Sequence, residues 1–274
     1  MRRLRIKAHA KINPFLAVGS LRPDGYYEVR TTLQAIDLHD LVDLGQAESL
    51  ALTCSVPELS GEKNLAWKAL RLLSELANVP DVHIHIHKSI PTQAGLGGGS
   101  SDAAAIIRGV NYWLGGVLPI RDMLDVAAAC GSDVPFFVLG EPRARATGRG
   151  EVLTAVEPLA SANLVIAKCA RGVSTADAYR RLGEIQRSCV DGLPDAEMHN
   201  DFERVADCEV LDLIDSLRSK GASRAHLCGS GSAVFGVFQS AEMAKAVAER
   251  LAGENVWASV TYTLDAFGEP EWIE

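Results

Sequence analysis

Residues 91–105 read Pro-Thr-Gln-Ala-Gly-Leu-Gly-Gly-Gly-Ser-Ser-Asp-Ala-Ala-Ala, and no other stretch constrains the fold as tightly. Gly95, Gly97, Gly98 and Gly99 fall within five positions, and Ser100, Ser101 and Asp102 follow at once. Glycine has no Cβ, so its backbone reaches positive φ and brings N–H groups close to a ligand. Ser and Asp at such a junction are residues that cap a helix start. A helix N-terminus gathers free N–H donors and partial positive charge, which favour an anion, most often phosphate. A glycine cluster can also be a plain flexible loop, so the flanks decide. Upstream, Val82-His83-Ile84-His85-Ile86-His87 alternates as a strand does. Downstream, Ala103, Ile106, Ile107, Val110, Trp113 and Leu114 share one helical face. Strand, glycine loop and helix in that order predict a nucleotide-phosphate cradle. It is not a Walker loop, because no Gly-Lys-Ser/Thr ends it. It is not a dinucleotide fingerprint, because no acidic ribose-binding strand follows at the usual offset.

The 274 residues suffice for one large or two modest domains with a sizeable core. With 35 acidic against 27 basic residues the net charge is −8, which argues against a non-specific nucleic-acid or anionic-membrane binder. A protein that handles a phosphorylated small molecule needs only a local positive field. Cys54, Cys130, Cys169, Cys189, Cys208 and Cys228 lie far apart and form no C-x-x-C pair. They read as free, mostly buried thiols in a reducing compartment. No apolar signal core follows Met1-Arg2-Arg3-Leu4-Arg5, and the long uncharged run at 225–241 is broken by Gly229-Ser230-Gly231-Ser232. A soluble, cytoplasmic protein is expected.

In chain order, residues 4–18 read as strand, with Leu4, Ile6, Ala8 and Ala10 on one face and Arg5, Lys7, His9 and Lys11 on the other. Lys11-Ile12-Asn13-Pro14 breaks the alternation, and Phe15-Leu16-Ala17-Val18 resumes an apolar run. Arg22-Pro23-Asp24-Gly25 is a turn, and residues 26–33 form a second strand. Helices are predicted at 64–77, starting near Asn64, and at 119–130, stopped by Gly131. Asp133 then heads an apolar Val134-Pro135-Phe136-Phe137 run, and 144–153 read as strand and turn. A boundary near 156–162 opens a second half: strand 164–169, helix 175–186, helices within 201–220, and strands 224–228 and 233–238. A helix at 240–251 capped by Ser240 and a strand at 256–264 close the chain. The architecture is α+β in two domains, 1–156 and 157–274, with the glycine loop in the first.

Asp133 supports two readings. One is a helix cap or a buried partner of an arginine. The other is a base tuned by its surroundings to take a hydroxyl proton during phosphoryl transfer. Lys11 is either an exposed strand lysine or the cation that a kinase needs near the transferred phosphoryl group. His83, His85 and His87 alternate on one strand face at about 7 Å spacing, too far for all three to hold one zinc unaided, so a polar sheet face is expected. Asn200-Asp201-Phe202-Glu203 reads as helix capping. The second glycine loop, 229–232, is a hairpin turn or a second wall over the same nucleotide.

These residues resemble the GHMP kinases. Three blocks carry the resemblance: Ala10-Lys11-Ile12-Asn13 with Arg22-Pro23-Asp24-Gly25-Tyr26, residues 91–104, and Gly131-Ser132-Asp133-Val134-Pro135-Phe136-Phe137. Gly148-Arg149-Gly150-Glu151, Asn200-Asp201-Phe202-Glu203 and Gly229-Ser230-Gly231-Ser232 add support. The triple glycine before Ser-Ser-Asp-Ala-Ala is similar to the diphosphocytidyl branch rather than to homoserine, mevalonate or galactose kinases. The resemblance implies an N-terminal domain with a left-handed β-α-β unit, a ferredoxin-like C-terminal domain, and ATP and acceptor in the cleft between them. It implies transfer of the γ-phosphoryl of ATP to the 2-hydroxyl of 4-diphosphocytidyl-2-C-methyl-D-erythritol, in non-mevalonate isoprenoid precursor synthesis.

By motif position, Asp133 would be the base and Lys11 its cationic partner. Pro91, Thr92, Gln93, Ala94, Gly95, Leu96, Gly97, Gly98, Gly99, Ser100 and Ser101 would wrap the ATP phosphates, with Asn64 near the purine. Asn13 and Thr31 would contact the acceptor, Tyr26 would stack on its cytosine, and Thr175 and Tyr179 would close the acceptor side. The family usually shows Gly-Tyr-His where this chain has Gly25-Tyr26-Tyr27. Tyr27 therefore stands where a histidine helps to hold cytosine, and a tyrosine can stack and hydrogen-bond. Mg²⁺ would be held by ATP oxygens, waters and a loop serine, with no protein-built metal site. The partners implied are small molecules, without nucleic acid or membrane, on a monomer or weak homodimer. Two alternatives remain: another small-molecule GHMP kinase, or a ligand sensor without turnover, against which the retention of both Lys11 and Asp133 argues.

Overall fold

Two long strands carry the frame of the molecule. In the computed structural model, which describes residues 2–157, 161–185 and 198–274, β1 (Arg3–Leu21) and β2 (Tyr27–Gln46) pair antiparallel across the turn at Arg22-Pro23-Asp24-Gly25. Gly25 takes φ 84°, and the Asp24 carboxylate accepts the Tyr26 N–H at 3.1 Å. The sequence placed the end of the second strand near Leu33, but β2 runs on to Gln46. Its alternation is hidden by a bulge. His9 pairs with His39 while the next residue, Ala10, pairs with Ile36, so Asp37 and Leu38 are inserted into β2. Burial, the largest cause, and the neighbouring His39 lower the His9 pKa to about 4, so this ring is neutral at pH 7. A second shift lies between Ile12 and Phe15, where the alternation of β1 falters. The strand persists there because proline is tolerated at a bulge.

On the far side of β2 lies β4 (Val82–His87), antiparallel to it, and then β3 (Ala51–Cys54), parallel to β4. The connection from β3 to β4 passes through a short 3₁₀ turn, Pro57–Leu59, and α1 (Leu65–Leu76), making a β-α-β unit. Further along, β5 (Arg143–Thr147) pairs with the first half of β2, and β6 (Val152–Ala155) with β5. Helices α1, α2 (Gly98–Trp113), α3 (Ile120–Cys130) and α4 (Val134–Leu139) cover one face of this sheet. Leu4, Ile6, Leu44, Leu70, Ile84, Ile106 and Phe136 are buried between them.

The second half holds a four-stranded antiparallel sheet in the order β11-β7-β10-β9. Its strands are β7 (Asn163–Lys168), β9 (Arg224–Leu227), β10 (Ala233–Phe238) and β11 (Trp257–Tyr262). With α5 (Thr175–Gly183), α6 (Cys208–Ser219) and α7 (Ala241–Gly253), this is the ferredoxin-like arrangement expected of the C-terminal domain. Residue 186, the predicted end of α5, lies outside the described residues. Two short strands escaped the sequence reading. β8 (His199–Asn200) and β12 (Glu271–Ile273) both pair with β1 and tie the later chain to the first sheet. Two and three residues are too few for alternation to show. Among the described residues, no helix is long and apolar enough to cross a membrane, and all five cysteines are free.

The outer face of the sheet is polar, as the histidine stripe suggested. Thr53 bridges His83 and His85, while His87 lies 3.4 Å from the Asp43 carboxylate. Asp43 also accepts two hydrogen bonds of 2.7 Å from Arg5 across the strands. Burial opposes its charge, but Arg5 and His87 more than offset this and hold its carboxyl below the usual range. A depressed carboxylate pKa stabilises the fold above the unfolded value, and the contribution fades as pH falls through the folded one. Asp43→Asn is therefore expected to cost about 1–3 kcal/mol at pH 7. In urea unfolding, the stabilities of the two proteins should converge as pH drops below about 4.

Candidate active site

The glycine loop joins β4 to α2, but the helix starts earlier than the sequence suggested. Gly97, at φ 74°, is the residue before the first turn, and no side chain caps it. Ser100, Ser101 and Asp102 lie inside the helix, not at its cap. The expectation of Ser or Asp capping is corrected here, because Asp102 and Ser101 are turned into the core instead. Ser101 N–H donates to the Gly97 carbonyl at 2.8 Å, so the helix closes its first hydrogen bond there. The N–H groups ahead of it, on Gly98, Gly99 and Ser100, lack an intrahelical acceptor, and these three residues line a cavity of about 550 Å³.

The two glycine loops touch. Gly95 has φ 75°, and a Cβ there would sit 1.9 Å from the carbonyl oxygen of Cys228. Ala233 N–H donates to the Ala94 carbonyl at 3.1 Å, and Ser232 N–H to Gln93. The 229–232 loop is thus both the β9–β10 connection and a second wall, with Gly229 and Ser230 lining the same cavity. Asn200 holds it from below, its Nδ2 donating to the carbonyls of Leu227 and Gly229. Asn200 also caps the turn at Phe202, so the capping expected of this motif is made while its other end supports the loop.

Lys11 and Asp133 meet across the cavity floor. Lys11 is 4% exposed, and its ammonium lies 3.6 Å from the Asp133 carboxylate and donates to Asn13 Oδ1 at 2.8 Å. Asn13 Nδ2 donates to Thr31 Oγ1 at 2.9 Å, and Thr31 donates to the Phe15 carbonyl. This chain fixes the lysine rather than leaving it on an exposed strand face. Asp133 precedes α4 but makes no capping bond, and its ion-pair partner is Lys11, not an arginine. Its side chain is 39% exposed, open enough to meet a ligand. Two glycines make room for the lysine: a Cβ on Gly97 would lie 3.2 Å from its Cγ, and one on Gly229 3.2 Å from its Nζ. Nearby Cys228 is fully enclosed, and burial pushes its thiol up to about 12, so it stays neutral.

Behind the loop is a network that the sequence reading missed. Lys88, its side chain 6% exposed, binds both the Asp40 carboxylate and, at 2.7 Å, the Asp102 carboxylate. Asp40 also accepts the N–H groups of Ser89 and Ile90. Burial works against the charge of Lys88, but the two carboxylates more than offset it and raise its pKa. Burial likewise pushes Asp102 upward against the pull of Lys88. The one visible sequence clue was Asp102 itself, four residues before Ile106 on the apolar face of α2.

Of the remaining predicted residues, Asn64, Pro91, Thr92, Gln93, Ala94, Gly95, Leu96, Gly97, Thr175 and Tyr179 line the cavity with Asn13 and Thr31. The Asn64 side chain is occupied by Ala66 N–H and the Leu59 carbonyl. Thr175 shares a 3.0 Å hydrogen bond with Ser230. Burial, with Asp133 nearby, raises the Tyr179 pKa. Ser101, Tyr26 and Tyr27 are not part of the lining. Tyr26 is 53% exposed beneath the guanidinium of Arg149, which does line it. Tyr27 stacks on the outside of Tyr179, with ring centroids 5.3 Å apart. Lys63 adds positive charge to the wall, while the charge of Lys88 is matched by Asp40 and Asp102.

Removing Lys88 leaves two carboxylates buried without a cation. Lys88→Met is expected to destabilise the protein by about 3–5 kcal/mol in urea unfolding. Adding Asp102→Asn should recover part of the loss, since one of the stranded charges disappears.

Comparison with known proteins agrees with this geometry. Residues 64–141 match the GHMP kinases N terminal domain, and residues 197–256 the GHMP kinases C terminal domain. The 4-diphosphocytidyl-2-C-methyl-D-erythritol kinase of Geobacter metallireducens is 38% identical over 94% of this chain and 97% of that protein. The protein of the same name from Moorella thermoacetica is 38% identical over 95% of this chain and 99% of its own length. A crystal structure of 4-(cytidine 5'-diphospho)-2C-methyl-D-erythritol kinase superposes with a TM-score of 0.80 at 31% identity, covering 98% of this chain and 100% of the other. A homoserine kinase from Cytophaga hutchinsonii, at 17% identity and a TM-score of 0.71, shares the fold. With near-full-length relatives and both domain matches in chain order, the chain belongs to the GHMP kinase family.

Proposed function

We propose that the protein is an ATP-dependent kinase that phosphorylates the 2-hydroxyl of 4-diphosphocytidyl-2-C-methyl-D-erythritol, a step of non-mevalonate isoprenoid precursor synthesis. The observation that carries this reading is the Lys11–Asp133 pair, 3.6 Å apart and beside the glycine loop of one cavity. Full-length relatives named for that reaction supply the substrate. The ATP phosphates would lie along residues 91–100, where backbone N–H groups and the start of α2 receive negative charge. Asp133 would take the proton of the acceptor hydroxyl as its oxygen attacks the γ-phosphorus. The bond from that phosphorus to the bridging oxygen breaks, and ADP leaves with the electron pair. Lys11, fixed by Asn13, would spread the developing charge and orient the acceptor hydroxyl.

Asn13 and Thr31 would meet the erythritol end, and Thr175 and Tyr179 would close over it. Tyr26 has the Arg149 guanidinium over one face of its ring, and its other face would stack on the cytosine at the rim. Tyr27 acts through Tyr179, by stacking behind it. Asn64 would border the purine with its backbone and carbon atoms, because its amide is engaged. Glu58, Asp102 and Asp133 line this cavity, but among the described residues no three metal-ligating side chains there lie close enough together to share one ion. Its hydroxyls suit a cation carried by the nucleotide, so Mg²⁺ would rest on ATP oxygens and water, with Ser100 as the available protein oxygen. When bound, the ion neutralises phosphate charge. A division into domains 1–156 and 157–274, a cytoplasmic location and a monomer or weak homodimer belong to the same proposal.

Asp133→Asn should lower kcat in ADP release about 10²–10⁴-fold while KM for ATP changes little. Turnover close to that of the unaltered protein would remove Asp133 from the role of base.

A further inference from the structure

Outside the cleft, the bulge between β1 and β2 assembles a second group of chemistry-bearing side chains. The two inserted residues, Asp37 and Leu38, turn the Asp37 carboxylate and the His39 ring toward His9. One ligand atom from each of the three lies within 4.8 Å of the others. We propose that His9, Asp37 and His39 form a Zn²⁺ site.

Three observations carry this assignment. First, His9 is 4% exposed, and its Nδ1 is buried with no hydrogen-bond partner. The ring bonds the Ile36 carbonyl, and since Nδ1 is unpartnered that bond uses the other nitrogen. The nitrogen left over is a lone pair aimed into protein. Second, His39 Nδ1 donates to the Asp37 main-chain carbonyl, which fixes its proton there and leaves Nε2 as an acceptor. A backbone carbonyl on the non-ligating nitrogen is the usual outer support of a metal-binding imidazole. Third, the Asp37 carboxylate is itself held, by the Tyr262 hydroxyl. Phe267 closes the outer side, edge-on to His9 at 5.7 Å.

Two imidazoles and a carboxylate suit zinc better than magnesium or calcium, which take oxygen ligands. Bonds of about 2.0–2.2 Å in a tetrahedron place ligand atoms about 3.4 Å apart, so small side-chain rotations bring the three together, with water in the fourth position. The ion would pin the inserted residues of β2 to β1, two positions before Lys11.

The test is titration of the chelator-treated full chain with Zn²⁺ against a chromophoric competitor. The expected result is one tight equivalent that disappears in His9→Phe and binds at least tenfold more weakly in Asp37→Asn. His39→Gln, at a more open position, serves the same purpose if His9→Phe does not fold. The equivalent should survive His85→Asn, which alters the exposed histidine stripe instead. Failure of the unaltered protein to compete for Zn²⁺, or an equivalent that persists in both His9→Phe and His39→Gln, would overturn the assignment.

Discussion

The ammonium of Lys88 holds the site together from behind. It stands at the end of β4 and binds Asp40 on β2 and Asp102 in the first turns of α2. Asp40 in turn takes the N–H groups of Ser89 and Ile90, the last residues before the loop. Both stems of the glycine loop are therefore clamped to one buried charge cluster. A buried ion pair earns little net stability by itself, since desolvation consumes most of the attraction. Its value here is positional: it fixes where β4 ends and α2 begins, and so where the free N–H groups lie.

From the front, the loop is held by close backbone approach rather than by side chains. Gly95 lies against the Cys228 carbonyl so closely that no Cβ fits, and two backbone hydrogen bonds, to the Gln93 and Ala94 carbonyls just before it, join the loops. The second loop rests on Asn200, and Glu203 accepts from Leu227 N–H and faces His226. Because β8 also pairs with β1 beyond the Lys11–Asn13 segment, the same short stretch links the C-terminal half to the strand that carries the cation.

What was legible in the sequence was local. The glycine run, Lys11 at a break in alternation and Asp133 ahead of an apolar run each announce themselves within a few residues, and the structure brings them to one cavity. What was hidden depends on partners far apart in the chain. Lys88 and Asp40 are 48 residues apart, and Asp40 follows a bulge that disguises β2. The cap of α2 misled for a related reason. Asp102 looks like a capping residue, but a lysine just past the end of β4 draws it inward, and the left-handed Gly97 turns the chain into the helix. Tyr26 and Tyr27 could be placed near the acceptor by motif, yet their partners, Arg149 and Tyr179, come from other elements.

The central claim is that one cleft presents ATP to a cytidyl-linked polyol. It is tested most directly by ADP release from the purified protein with ATP and Mg²⁺. The acceptors to compare are the cytidyl compound, its uridyl analogue, mevalonate, homoserine and galactose. The account predicts release that depends on the cytidyl compound, with kcat/KM at least about 100-fold above every other acceptor, the scale of one lost set of base contacts in a built site. Equal or faster release with mevalonate, homoserine or galactose, or no release with any acceptor, would contradict it.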